Sequence, residues 1–145
     1  MKRLLAALCA LTLVITVVRA ADEKLAGKCP VSGKDIVKDV SADYKGAKVY
    51  FCCPGCPGAF KADTAKYAAK ANQQLVQTKQ ATQEKCPLSG GKLNPDTAVK
   101  VGEVSVTFCC NMCKGKVAKA EGDAQRDLVF SDAAFEKGFK VAKAK

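Results

Sequence analysis

The chain contains no histidine and no tryptophan, and only 14 of its 145 residues are acidic. A metal site without histidine has to be built from sulfur or oxygen ligands, and few well-placed carboxylates disfavour oxygen-preferring ions such as magnesium and calcium. We also find no carboxylate pair shared along the chain, no nucleophile with a general base and no phosphate-binding loop. These absences predict a protein that is not an enzyme.

Long apolar runs are scarce as well. Residues 4–18 form such a run, but it is shorter than the ~20 residues that a membrane-spanning helix needs. Lys2 and Arg3 precede it, and Ala20 supplies the small residue at which a signal peptidase cuts. We therefore expect residues 1–20 to be a secretory signal peptide, the mature protein to be secreted or periplasmic, and no stable membrane insertion after cleavage.

Basic residues outnumber acidic ones even after cleavage. Three of the 24 lysines and arginines lie in the signal peptide, which leaves 21 against 14 acidic residues and a net charge of +7. The lysines are scattered, and the few aromatic residues do not alternate with arginines, so nucleic-acid binding is not expected. The charge instead indicates a solvated, lysine-rich surface.

Cysteine, in contrast, is abundant and regularly placed. Eight of the nine cysteines follow the signal peptide and form two sets of four: Cys29, Cys52, Cys53, Cys56 and Cys86, Cys109, Cys110, Cys113. Every member of the second set lies 57 residues after its counterpart, and neighbouring Pro, Ser and Gly residues match in the same register. The chain is therefore an internal duplication. We predict one module at residues 21–82 and a second at residues 83–145.

Each copy is predicted to contain a β-hairpin. Apolar residues alternate on both sides of Lys45-Gly46 and of Gly102-Glu103, which is typical of paired strands around a turn. Phe51 and Phe108, at the ends of the second strands, are expected to belong to the core. The polar linker at residues 78–85 fits either a loop or an edge strand.

After each cysteine cluster the apolar spacing becomes helical. Asp63 is expected to separate a short helix from a longer one over residues 64–77, because an Asp side chain accepts hydrogen bonds from free N–H groups at a helix start. The second copy is expected to continue with a short helix at residues 113–120, a break at Gly122-Asp123, and a last helix from Ser131 or Asp132 through Phe139.

The order of loop, hairpin and cysteine cluster at a helix start is the layout of a treble-clef zinc finger. Cys53 and Cys56, or Cys52 and Cys56, can face one point across a helical turn. The partial positive charge of a helix N-terminus favours the thiolate, which is the form that binds metal. An all-sulfur site favours zinc(II), copper(I) or a similar heavy-metal ion. We therefore expect one ion per module and treat all eight cysteines as candidate ligands.

The segments C-P-V-S-G…Y-F-C-C-x-x-C and C-P-L-S-G…T-F-C-C-x-x-C resemble the YHS and TRASH group of treble-clef, heavy-metal-binding domains. The resemblance implies an α+β fold with two tandem modules and a function in metal sensing, trafficking or resistance. It implies that the ligands are the cysteines with the spacing C-x22-C-x3-C, namely Cys29, Cys52, Cys56, Cys86, Cys109 and Cys113. Many relatives carry another cysteine where this chain has Ser32 and Ser89. Two arrangements are therefore open: Cys53 and Cys110 replace the missing ligand, or each site is three-coordinate.

Two other interpretations of the cysteines stay open. An even number of exported cysteines also fits a disulfide-stapled structural or interaction protein without metal, although a disulfide between adjacent cysteines is strained. The C-P-G-C and C-N-M-C segments fit a thiol oxidoreductase, but the chain lacks the βαβ pattern of a thioredoxin. The favoured interpretation is an exported protein that buffers, sequesters or delivers a thiophilic ion, and the sequence does not identify a protein partner for delivery.

Overall fold

The computed structural model describes residues 25–142. In chain order its elements are β1 (Val37–Tyr44), β2 (Ala47–Phe51), α1 (Cys56–Ala62), α2 (Thr64–Gln77), β3 (Ala81–Gln83), β4 (Asn94–Val101), β5 (Val104–Phe108), α3 (Asn111–Ala118), α4 (Gly122–Phe130), α5 (Asp132–Gly138) and β6 (Phe139–Val141). The fold is α+β, with a hairpin followed by helices in each copy, as the sequence predicts. The predicted signal peptide lies outside the described residues, and within them no helix has the length and apolar composition to cross a membrane.

Two antiparallel hairpins carry the predicted turns. β1 pairs with β2 around Lys45-Gly46, and β4 pairs with β5 around Gly102-Glu103. The glycine of each turn adopts a left-handed backbone, with φ angles of +80° and +59°, which glycine reaches without a steric penalty. Alternate residues of β2 and β5 then face inward, so Phe51 and Phe108 are fully buried.

Asp63 separates the two helices of the first copy, as expected. It ends α1, and its side chain accepts a hydrogen bond from the backbone N–H of Lys66 at 3.1 Å at the start of α2. Phe60 of α1 packs against Phe51, with the ring centroids 5.5 Å apart. The short helix therefore covers the hairpin that precedes it.

The first helix of the second copy begins earlier than predicted. α3 starts at Asn111 rather than Cys113 and ends at Ala118. Asn111-Met112 can enter a helix directly, whereas Pro54-Gly55 at the matching positions of the first copy form a turn that delays α1. Met112 lies on the exposed surface of α3, with 85% of its surface accessible.

The remaining helices also correct the prediction. The preceding helix ends before Gly122, as predicted, but Gly122 also begins a further helix, α4, with a backbone φ angle of +57°. The sequence did not indicate this helix. α5 begins after Ser131, one of the two expected caps, although the Ser131 side chain makes no capping hydrogen bond. The helix ends at Gly138, and Phe139 starts β6 instead of closing the helix.

The linker between the copies contains β3, which pairs antiparallel with β6 near the C-terminal end of the described chain. Ala81 lies opposite Val141, and Gln83 lies opposite Phe139. This pairing joins the segment that follows the helices of the first copy to the segment that follows those of the second. The predicted boundary between the modules falls inside β3, and the division into modules stays a prediction.

Three glutamines bind the outer edges of the hairpins. One of them, Gln80, accepts a hydrogen bond from the Lys48 N–H at 2.8 Å and donates to the Lys48 carbonyl at 2.7 Å beside β2. Gln74 of α2 accepts a hydrogen bond from the backbone N–H of Tyr50 at 2.7 Å and donates to the Tyr50 carbonyl at 2.8 Å. Gln83 of β3 does the same with Thr107, at 2.9 and 2.6 Å. A side-chain amide thus takes the place of a third strand beside β2 and beside β5, and it satisfies backbone groups that an edge strand leaves unpaired.

One hydrophobic cluster runs through both copies. α2 lies at its centre and packs against α4 and α5 as well as against strands β2 and β5. The cluster contains Phe51 and Phe108, which the sequence predicts to be in the core, and also Phe60 and Val117 from the short helices. Cys29 and Cys86 also belong to it, so the cysteine sites lie directly against the core.

Candidate metal centres

The first sulfur of each centre comes from a tight loop before the hairpin. The backbone N–H of Gly33 donates to the carbonyl of Cys29 at 2.8 Å, and Gly90 donates to Cys86 at 2.7 Å. These glycines have φ angles of +72° and +75°, in the region that favours glycine. The repeated C-P-x-S-G motif is therefore a turn that holds a buried cysteine beside the cluster.

The other two sulfurs of the first centre come from the end of β2 and the start of α1. Cys52 follows the buried Phe51, and Cys56 is the first residue of α1. The Sγ atoms of Cys52 and Cys56 are 3.7 Å apart, and together with Cys29 Sγ they lie within 4.8 Å of one another. The loop that carries Cys29 is distant in sequence, and it thus meets the end of β2 and the start of α1 at one point.

The second centre repeats this arrangement. Cys109 follows β5, and Cys113 lies in the first turn of α3. Their Sγ atoms are also 3.7 Å apart, and all three sulfurs, including Cys86 Sγ, lie within 4.8 Å of one another. We call these two groups the first triad and the second triad.

The sulfur separations fit a bound ion. Two thiolates on a tetrahedral zinc ion with Zn–S bonds of about 2.3 Å are about 3.8 Å apart. The 3.7 Å separations within the triads are close to this value. Copper(I) accepts the same donors because it prefers soft thiolates. Each triad can therefore hold one metal ion, and its donors suit either zinc(II) or copper(I).

Two of the cysteines predicted as ligands stand outside the triads. Cys53 is exposed, with its Sγ 3.3 Å from Cys56 Sγ, and Cys110 is exposed, with its Sγ 3.7 Å from Cys109 Sγ. Each of them approaches one member of its triad, but neither joins the group whose sulfurs all lie within 4.8 Å. The structure thus gathers the cysteines that carry the C-x22-C-x3-C spacing and leaves the extra cysteine of each cluster at the surface.

Two serines contact the sulfurs, a role that the sequence did not assign to them. Ser32 Oγ lies 3.0 Å from Cys52 Sγ, and Ser89 Oγ lies 3.1 Å from Cys109 Sγ. A hydroxyl at this distance can donate a hydrogen bond to a thiolate and stabilise its charge. The sequence offered one signal for this role: Ser32 and Ser89 lie 57 residues apart, in the same register as the cysteines.

The environment of each triad favours one thiolate and opposes a second. Burial disfavours the Cys29 thiolate, but hydrogen bonds from the Ser32 hydroxyl and from backbone N–H groups outweigh it and lower the pKa of Cys29 to about 7. The same balance lowers the pKa of Cys86 to about 6. The hydrogen bond with Cys53, together with burial, raises the pKa of Cys56 to about 12. A cation that binds there relieves the repulsion between thiolates and displaces the remaining proton.

Comparison with known proteins finds no relative of this chain. No protein-family model matches the chain, and neither does any curated protein or solved structure. The functional proposal therefore depends on the geometry of the two triads and on the sequence motifs.

Proposed function

We propose that the protein binds one thiophilic heavy-metal ion in each copy, through Cys29, Cys52 and Cys56 and through Cys86, Cys109 and Cys113. The observation that carries this proposal is the recurrence of one geometry, in which three sulfurs from a loop, a strand end and a helix start lie within 4.8 Å in both copies. The six cysteines that build this geometry, and the glycines and serines of the two loops beside them, all repeat between the copies. Thiolate donors suit zinc(II), copper(I) and similar thiophilic ions.

The proposed activity is binding rather than turnover. Three protein ligands leave a coordination position free, whereas structural zinc sites are usually closed by four. An open position allows a thiolate of another molecule to enter and remove the ion, which suits buffering, sequestration or delivery. The hydroxyls of Ser32 and Ser89 stabilise charge on the sulfurs without closing the site as further thiolates would.

The proposal extends to family and location. The motifs of the two copies resemble the YHS and TRASH group of metal-binding domains, which supports membership of that group, and the segment at residues 1–20 supports export to the periplasm or beyond. Outside the cytoplasm, the competing state of the cysteines is a set of disulfides, because exported thiols meet oxidants. The test of function must therefore separate metal-bound thiolates from disulfides.

Full-length protein exported by a bacterial host and purified without reductant provides that test. We expect elemental analysis to find about two zinc or copper ions per chain, one for each triad. After metal removal by a chelator, all eight mature cysteines should react with an alkylating reagent. Four disulfides and no ion would refute the proposal in favour of a stapled structural protein, and catalytic reduction of insulin by protein that binds no ion would refute it in favour of an oxidoreductase. N-terminal sequencing that begins at Ala21 would support export.

A further inference from the structure

The two cysteines outside the triads have different neighbours. Cys53 Sγ lies 3.3 Å from the sulfur of Cys56, three residues further along the chain. Cys110 Sγ instead lies 3.7 Å from the sulfur of the adjacent Cys109. The triad sulfur in direct contact with this position of the repeat is therefore that of Cys56 in the first copy and that of Cys109 in the second.

A local backbone difference accounts for these neighbours. In the first copy, Cys53 to Cys56 form a turn that is closed by a hydrogen bond from the Cys56 N–H to the Cys53 carbonyl at 3.2 Å. Pro54 and Gly55 suit the two central positions, because proline fixes the φ angle of the first and Gly55 has the αR backbone that the second requires. The turn brings its first and last side chains together.

The second copy has no such turn at its matching segment. Cys110 is extended, with φ −159° and ψ 167°, and its carbonyl accepts from the N–H of Lys114 at 3.1 Å, which is a helical bond. Asn111-Met112 belong to the first turn of α3. A disulfide between adjacent cysteines such as Cys109 and Cys110 is strained, whereas cysteines at the ends of a turn can be bridged with little movement.

We propose that Cys53 and Cys56 form a thiol–disulfide exchange site that accepts a low-molecular-weight disulfide as oxidant, and that the second copy lacks this site. The Cys53 thiolate attacks one sulfur of the oxidant R–S–S–R, which forms a mixed disulfide and releases one thiolate RS⁻. The Cys56 thiolate then attacks the Cys53 sulfur, which closes the Cys53–Cys56 disulfide and releases the second RS⁻. The protein loses two electrons, and the oxidant is reduced to two thiols.

Oxidation at this site also controls the first triad, a consequence that rests on the proposed metal function. Once Cys56 is in a disulfide, its sulfur no longer serves as a thiolate ligand, and the ion of the first triad keeps only Cys29 and Cys52. The second triad keeps all three of its thiolates. Oxidant should therefore release one ion of the two and leave the other bound.

The test exposes metal-free and zinc-loaded protein to glutathione disulfide and maps disulfides by alkylation and peptide mass spectrometry. In both samples we expect a Cys53–Cys56 disulfide to form about tenfold or more faster than any disulfide in the second copy. In the zinc-loaded sample a chromophoric chelator should detect the release of one ion per chain. Equal oxidation of the two copies would overturn the proposal.

Matched variants locate the effect. Cys53→Ser should abolish the first-copy disulfide and retain both ions in oxidant, whereas Cys110→Ser should behave as the wild type. Exchanging the turn residues, with Pro54→Asn and Gly55→Met, should slow the disulfide without removing any sulfur. Release of the first ion at the wild-type rate from Cys53→Ser would contradict the proposal. If the disulfide forms in metal-free protein but zinc never binds, the exchange site stands and the proposed metal function fails.

Discussion

The first and second copies hold three sulfurs at the same distances, yet they start the following helix in different ways. In the first copy a turn over Pro54-Gly55 delays α1 until Cys56, and in the second copy α3 starts at Asn111. The cysteine outside each triad differs in position accordingly: Cys53 contacts Cys56 in the first copy, and Cys110 contacts Cys109 in the second. The comparison indicates that the geometry of the triad is the same in both copies, whereas the positions of Cys53 and Cys110 differ, so these two cysteines can differ in function.

The hairpin edges differ as well. Gln74, which satisfies the edge of the first hairpin, is fully buried in α2 and also donates to the carbonyl of Lys28 at 3.0 Å beside the first triad. Gln83 performs the same task in the second copy from the partly exposed β3. The first hairpin is therefore held by Gln74 of the core helix together with Gln80 of the linker, and the second is held by Gln83 of β3.

Removing one triad ligand should have the largest effect. Cys56→Ser and Cys113→Ser should each lower the metal content from two ions to one, because a hydroxyl is a poor ligand for a thiophilic ion. Since one hydrophobic cluster runs through both copies, each loss should lower the melting temperature of the whole chain in a single transition. Elemental analysis and calorimetry measure both effects. Full metal content in either variant would show that the ligands are assigned wrongly.

The next effect concerns the second copy alone. A Cβ atom on Gly138 would lie 2.7 Å from the Cα of Pro87, next to Cys86. Gly138→Ala should therefore displace the loop of the second triad and lower the free energy of unfolding by about 2–3 kcal/mol, with weaker binding of the second ion only. Urea denaturation and zinc competition measure these changes.

Gly115→Ala is the matched control for this substitution. A Cβ on Gly115 meets no atom within 4 Å, and alanine in a helix is up to about 1 kcal/mol more favourable than glycine. The control should therefore leave both ions bound and stabilise the protein slightly. Equal destabilisation by the two substitutions would mean that contact with Pro87 is not the cause.

The glutamines that bind the hairpin edges should differ in importance. Gln74→Ala leaves the partly buried backbone N–H and carbonyl of Tyr50 and the carbonyl of Lys28 without the fully buried amide that binds them. We therefore expect a loss of about 2 kcal/mol in the free energy of unfolding. Gln83→Ala should cost about 1 kcal/mol or less, because water can reach the exposed side of β3. Chemical denaturation of the two variants ranks them. The reverse order would contradict the contrast between the two hairpins.

A small pH effect should report the contact between the copies. Tyr44 of the first copy and Asn72 of α2 donate to Asp132 Oδ1 at 3.0 and 2.9 Å, and Lys45 Nζ lies 3.3 Å away. Partial burial opposes ionisation of Asp132, but these bonds and the lysine charge outweigh it and lower the pKa below the ordinary 3.8. The contribution to stability is therefore complete above the unfolded pKa and is lost as the pH falls through the folded pKa.

Asp132→Asn tests this contact. The difference in unfolding free energy between the wild type and the variant should be constant near neutral pH, at most about 1 kcal/mol because the side chain is half exposed, and should shrink below about pH 4. Denaturation curves across this range give the difference. A difference that grows in acid would contradict the assigned direction of the pKa shift.

Local patterns predicted most of the fold. Period-two alternation around Lys45-Gly46 and a single capping residue, Asp63, were sufficient for the first copy, because these signals depend on neighbouring residues alone. α4 was not predicted, and the sequence left residues 78–85 open between a loop and an edge strand, without indicating that β3 pairs with β6. α4 has no cap to announce it, and three-residue strands such as Ala81–Gln83 form only because a distant segment pairs with them.

The candidate site was likewise predicted in part from the sequence. The 57-residue register identified the cysteines of both triads, because duplicated positions preserve the geometry that the fold requires. It also offered Cys53 and Cys110 as equivalent ligands, but their places depend on the backbone of two residues each, Pro54-Gly55 and Asn111-Met112. Whether a turn or a helix forms there is decided by packing as well as by sequence, so the repeat alone could not separate their functions.

X-ray absorption at the metal edge of the loaded full-length protein tests the central claim most directly. The account predicts two ions per chain, each with three sulfur neighbours at about 2.3 Å for zinc, and the same spectrum in the double variant Cys53→Ser, Cys110→Ser. Four sulfur neighbours that fall to three in the double variant would contradict the triads. A first shell of nitrogen or oxygen alone would refute sulfur coordination altogether.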